Sequence, residues 1–236
     1  GYGIADAYMI DAVTFLVAIF CLIKMTKIPD AELSKKTPLE DMKEGFAFAI
    51  SRPELIGTYL IDIVAMAFAY PLALYPAMSE KWGGAQVAGW LFSAMSVGAL
   101  LATLFSGWAN KVNLRGRGVI IAATLWGVFI VGSGYSTNLT WILIFLGMAG
   151  AADMFSALFR KVIWNETIPN NMRGRLSGIE MISYMIGPLI GNARAGYVAA
   201  KTSVHVSLVS GGWVCILGVI LTAFFLPKFW KYRSEN

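Results

Sequence analysis

The chain has 236 residues, of which 57% are hydrophobic and only 14% charged, well below the roughly one-quarter charged residues of an ordinary soluble domain. That excludes a soluble enzyme or binding module with its own polar surface, and a single histidine, His205, removes His-based triads and His-rich metal sites. The net charge of +5 does not call for nucleic acid, because the basic residues gather in connections between apolar runs rather than in one patch interleaved with aromatics.

The apolar runs have the length that crosses about 30 Å of hydrocarbon as helix, around 20 residues at about 1.5 Å each. No ten-residue alternation of a membrane β-barrel occurs. The pattern predicts an all-α, polytopic membrane helix bundle with about seven transmembrane helices, at 2–24, 54–78, 87–109, 118–136, 139–163, 175–200 and 204–226. The first run, "GYGIADAYMIDAVTFLVAIF", opens without a methionine or basic leader and reads as neither signal peptide nor natural start. Residues 1–26 are therefore expected to be an internal span of a longer parent chain.

Residues 27–53 form a charged linker in which Leu39, Met42, Phe46 and Ile50 recur at helical spacing opposite Glu40, Asp41, Lys43 and Glu44. That predicts an amphipathic helix lying along the membrane interface. In the next span, "AYPLALYPAM" sets Pro71 and Pro76 where they remove backbone donors, so the helix should kink or break there. Tyr70 and Tyr75 flank the breaks and suit either a binding cavity or the core. Of the 19 Lys and Arg, all but Lys81, Lys201 and Arg194 fall in connections on one side, which the positive-inside rule makes cytoplasmic, the tail 228–236 included. Arg115 and Arg160 are counted with these cytoplasmic cations. Cys21 and Cys215 lie in separate apolar runs and read as packing residues.

Ionisable groups inside hydrocarbon are costly and mark function by default. Asp62 and Asp153 lie deepest, and either one suits a proton carrier or an interhelical tie. Asp11 is a weaker candidate on the first span. Glu180 is expected to pair with Arg173 and Arg175 near its helix N-terminus or to face a substrate cavity, and Arg194 to snorkel to the outer surface or to contact substrate.

"GIEMISYMIGPLIG", with Gly178, then Gly187-Pro188 and Gly191, resembles the antiporter motif of major facilitator superfamily exporters. Glycines let backbones approach and the proline bends the helix. "SGWANKVNLRGRG" resembles the superfamily's short cytoplasmic loop, with Gly107, Gly116 and Arg117 in place and Asn110 where an acidic residue is usual. Across the chain, the order of features looks like the branch that includes enterobactin-type siderophore exporters.

The resemblance implies the C-terminal half of the superfamily fold plus the preceding helix. In that reading, 1–26 is helix six of the parent, 27–53 the inter-bundle linker and 54–227 the C-terminal six-helix transport bundle. It implies a multi-pass protein of the inner cell membrane that exports small amphipathic molecules by proton antiport. Its partners would be the bilayer, a small-molecule substrate, protons and the N-terminal half of the same chain, with no nucleic acid and no cofactor. The alternatives are a proton-coupled uptake symporter and a non-transporting membrane subunit or sensor. An enzyme would need a catalytic constellation that the sequence does not offer.

Overall fold

The computed structural model describes residues 4–25 and 37–234. Among them every regular element is helical. The chain divides into two units, 1–35 and 36–236, and each is described by itself. The first holds one helix, α1 (Ile4–Lys24).

The second unit starts with α2 (Pro38–Ser51), whose N-terminus is closed by a capping box between Thr37 and Glu40. It ends at Ser51 because Arg52 precedes Pro53 and is held extended. The following elements are α3 (Pro53–Ala69), α4 (Tyr75–Glu80), α5 (Ala85–Leu104), α6 (Arg115–Tyr135), α7 (Leu139–Thr167), α8 (Arg173–Lys201), α9 (Val204–Phe225) and the single turn α10 (Pro227–Trp230). By length and composition, five stretches of the described residues are able to cross a membrane: Pro53–Glu80, Ala85–Leu104, Arg115–Tyr135, Leu139–Thr167 and Val204–Phe225. The sequence pattern counts α1 and α8 as spans as well. Helix α8 is long enough, but Glu180, Asn192 and Arg194 dilute its apolar character.

Helices α5, α7, α6, α9, α3 and α8 pack side by side in that spatial order. Glycines make the close contacts, as expected where lipid and protein interior are equally apolar. A Cβ at Gly98 would strike the Gly147 carbonyl, and one at Gly150 the Met95 carbonyl, so α5 and α7 touch backbone to backbone. Between α4 and α5 the chain reverses through Gly83 and Gly84, whose φ values of 130° and 71° favour glycine.

The break expected at Pro71 and Pro76 is present. Tyr70 precedes Pro71 and turns extended, a short 3-10 turn covers Leu72–Leu74, and Pro76 falls in the first turn of α4, where no amide donor is needed. Helix α8 satisfies the groups freed by the break. The Ala73 N–H donates to Asn192 Oδ1 at 3.0 Å, and Arg194 Nη1 donates to the Phe68 carbonyl at 3.0 Å.

The connections 37–53, 105–114 and 168–172 and the C-terminal segment meet at one end of the bundle. Phe229 is fully buried, seated where the missing side chains of Gly57 and Gly116 leave room for it. Arg117 stacks over the Trp230 ring at 5.2 Å, and the Ser234 N–H donates to the Asn113 carbonyl at 2.9 Å. Tyr232 donates to Glu166 at 2.9 Å, and burial pushes its phenol up to about 12. Gly107, the first residue of the loop motif, has open space around it, while the side chain of Asn110 lies outside the described residues.

Helix α2 turns Gly45 and Ala49 inward and is tied to α8 by Arg175, which reaches Asp41 at 2.9 Å and Glu44 at 3.1 Å. Its predicted apolar stripe, Leu39, Met42, Phe46 and Ile50, faces outward and stays more than half exposed.

Candidate functional site

The deepest charges lie on the three helices α3, α7 and α8. Asp62 on α3 and Arg160 on α7 form an ion pair, with side chains only 6% and 4% exposed. The second oxygen of Asp62 accepts from Ser183 Oγ on α8 at 3.3 Å. Arg160 extends its other terminal nitrogen toward Asp153 Oδ1 at 4.0 Å, and the Asp153 side chain is 41% exposed. Asp153 and Arg160 are seven residues apart, two turns of the same helix, so one face presents both. The Tyr184 ring lies 5.8 Å from the guanidinium carbon.

A second layer supports this cluster. Trp164 Nε1 donates to Thr58 Oγ1 at 2.7 Å, fixing α7 to α3 one turn from Asp62. Lys161 reaches Glu180 at 3.6 Å, and Glu180 accepts from Tyr184 OH at 3.3 Å. Two polar atoms in the region, Arg160 Nε and Tyr59 OH, are buried without a hydrogen-bond partner. A buried guanidinium is tolerated only with its charge compensated. Here Asp62 compensates it within a fixed, buried hydrogen-bonding arrangement, and Asp153 adds an adjustable, partly open second carboxylate. Chemically, such a trio can gain or lose a proton at Asp153 without leaving Arg160 unpaired.

The structure thus brings together Asp62, Asp153 and Glu180 from the predicted set. Glu180 is held beside the other two by Lys161 and Tyr184, and the common partner of Asp62 and Asp153 is Arg160, which the sequence reading leaves in a cytoplasmic connection. That assignment is corrected: α7 runs on to Thr167, beyond the expected end near 163, and Arg160 is buried. The seven-residue spacing from Asp153 was the available signal. Arg115, also counted with the loop cations, is buried too, donating to the Ala109 carbonyl. Glu180 does not pair with Arg173 or Arg175. Arg175 sits five residues away, about 140° around the helix, and turns to α2 instead.

Arg194 does not snorkel outward. Its Nη1 donates to the carbonyls of Phe68 and Ser207 at 3.0 and 2.9 Å, and its Nη2 to Ser210 Oγ at 2.6 Å. It lies eleven residues past Ser183, roughly 16 Å along α8, so it is not part of the Asp62 cluster. Tyr75 is fully buried, donates to Met95 Sδ at 2.8 Å and meets Phe92 edge-on, which makes it a core residue. Tyr70 is half-buried where α3 ends, against Gly191.

The glycine motif divides by face. A Cβ at Gly187 would come within 2.8 Å of Met66 Cβ, and one at Gly191 within 2.9 Å of Tyr70 Cβ and into the Met66 carbonyl. Gly178 faces open space. Pro188 lies between the two packed glycines, and α8 continues through it.

Among known proteins, the family model for the Major Facilitator Superfamily matches residues 55–235. Similar curated proteins are the enterobactin exporter EntS of Escherichia coli O1:K1 / APEC and that of Escherichia coli strain UTI89, each 28% identical over 226 residues, or 93% of this chain and 53% of the relative. EntS of Escherichia coli strain ED1a is 28% identical over 225 residues, with the same coverage. The chain therefore spans about half the length of the curated relatives it matches. No solved structure matches.

Proposed function

The chain belongs to the Major Facilitator Superfamily, and we propose that it supplies one bundle of a secondary active exporter, which moves small amphipathic molecules across the inner cell membrane by proton antiport. The transport bundle is 54–227, residues 27–53 link it to a second bundle, and residues 228–236 lie on the cytoplasmic side. The name of the relatives favours a siderophore as substrate.

One observation carries this reading: a buried arginine lies between a fixed and a partly open carboxylate. Asp62 holds Arg160 throughout, and Asp153 is the proton carrier. With Asp153 charged, Arg160 is shared between the two carboxylates. Protonation returns the arginine to Asp62 and loosens the pull of its other edge on Asp153. Gly187 and Gly191 let the backbone of α8 lie against Met66 of α3 and against Tyr70 just beyond it, and carry no side chains of their own to resist a shift there as access changes.

Everted vesicles carrying the full-length protein test direction. Uptake of labelled siderophore or drug driven by an inward-acid gradient supports an exporter. Transport in the opposite sense would make the protein a nutrient symporter, and no flux at all a subunit or sensor.

A further inference from the structure

Helices α6 and α9 and the C-terminal turn enclose an open groove of about 470 Å³ that shares no lining residue with the Asp62 cluster. Ile121, Leu125, Ile220 and Phe224 form much of its wall, and Ala223 is small enough to leave its floor open. Its lining is apolar except for Thr124, and its end is closed by Trp230. On that ring stacks Arg117 at 5.2 Å. Among the described residues Arg117 has no carboxylate partner. The same holds for Lys228 and Lys231, which bracket Trp230 in the chain and are exposed. One cation thus stands on the aromatic ring at the end of an apolar slot and two more lie within two residues of that ring in the chain, around the kind of aromatic side chain that favours the boundary between hydrocarbon and water.

We propose that this groove is a binding site for one anionic phospholipid. An acyl chain lies along α6 and α9, and the phosphate is held by Arg117 with Lys228 and Lys231. The chemistry of the two ends selects this occupant. An apolar peptide or acyl chain alone leaves three cations unmatched, and a free phosphate leaves the slot empty. A second groove of similar size, about 530 Å³ between α5 and α7, is lined by Trp90, Ser93, Leu101, Met148 and their neighbours, none of which carries a stacked cation among the described residues. It serves as an internal control.

The bound lipid would brace the C-terminal segment. Trp230 follows Phe229, whose ring fills the space at Gly57 and whose carbonyl packs against Gly116, so a lipid seated against Trp230 presses that segment onto the ends of α3 and α6.

The test is native mass spectrometry of the full-length protein in detergent, titrated with phosphatidylglycerol or phosphatidylcholine carrying the same chains. The wild type should retain one phosphatidylglycerol in preference to phosphatidylcholine. Arg117→Gln with Lys231→Gln should weaken retention roughly twenty-five-fold, at about fivefold per cation near the membrane surface. Ala223→Phe, which fills the slot and keeps every charge, should also abolish retention. A bulky residue in the control groove, Ser93→Phe, should change nothing. Equal binding of the two lipids, retention unaffected in both test variants, or a loss with Ser93→Phe equal to that with Ala223→Phe would overturn the proposal. So would displacement of the lipid by glycerol phosphate at equal concentration, since the acyl chain would then contribute nothing.

Discussion

Removing one partner of the Asp62–Arg160 pair is the sharpest perturbation of the bundle. Both side chains are nearly fully buried, so solvent screens their attraction little. Deleting one member of such a pair typically costs about 3–5 kcal/mol, because the other charge stays buried, whereas replacing both by apolar side chains of similar volume is about neutral. The structure distinguishes the two single variants. In Asp62→Leu, Arg160 keeps a distant carboxylate, Asp153 at 4.0 Å, but a guanidinium cannot shed its charge. In Arg160→Met, Asp62 keeps the Ser183 hydroxyl at 3.3 Å, so this variant should be the less costly of the two. The double variant should recover most of the loss, giving a coupling of about 3 kcal/mol or more. Unfolding in mixed micelles, followed by tryptophan fluorescence across a double-mutant cycle, measures it. Single variants that each cost below about 1 kcal/mol and add without coupling would refute the buried-pair reasoning.

Three further outcomes follow from the packing of α8 and the layout of the connections. Gly191→Leu drives a side chain into the Met66 carbonyl and Tyr70, at a cost of about 1–3 kcal/mol. The full-length variant should insert yet lose transport, while Gly178→Ala, facing open space, transports normally. Arg194→Lys replaces a planar fork bonded to Phe68, Ser207 and Ser210 by one nitrogen, and should lower stability by about 1–2 kcal/mol; an unchanged unfolding midpoint would show that the broken end of α3 needs no such clamp. Cysteines introduced near Lys36, Lys111 or Asn171 should be shielded from an impermeant thiol reagent in intact cells, and those near Gly84 or Ser203 should react, the reverse pattern contradicting a cytoplasmic C-terminus.

The helices were legible because membrane spans are written in long apolar runs, and the break in α3 because a residue before proline is driven extended: Tyr70 before Pro71. The two packed glycines of α8 were legible from their spacing, although which helix they meet was not. The site was half legible. Asp62 and Asp153 stand out as acids in hydrocarbon, but the contact between residues 62 and 160 joins distant parts of the chain, and no local pattern encodes it. Hydropathy reads a cation near the end of an apolar run as loop, so Arg160 was assigned to the wrong environment. Arg194 misled for a related reason. Its depth along α8 was readable, but not the three oxygens of Phe68, Ser207 and Ser210 that turn its head inward. The seat of Phe229 is written in Gly57 and Gly116, two residues whose role shows only when the C-terminal segment meets α3 and α6.

The central claim is that Asp153 carries the coupled proton while Asp62 holds Arg160, and transport by Asp153→Asn tests it most directly. In proteoliposomes of the full-length protein, this variant should exchange labelled for unlabelled substrate at the wild-type rate and fail to accumulate substrate against a gradient when an acid interior is imposed. Accumulation by Asp153→Asn equal to wild type would contradict the account.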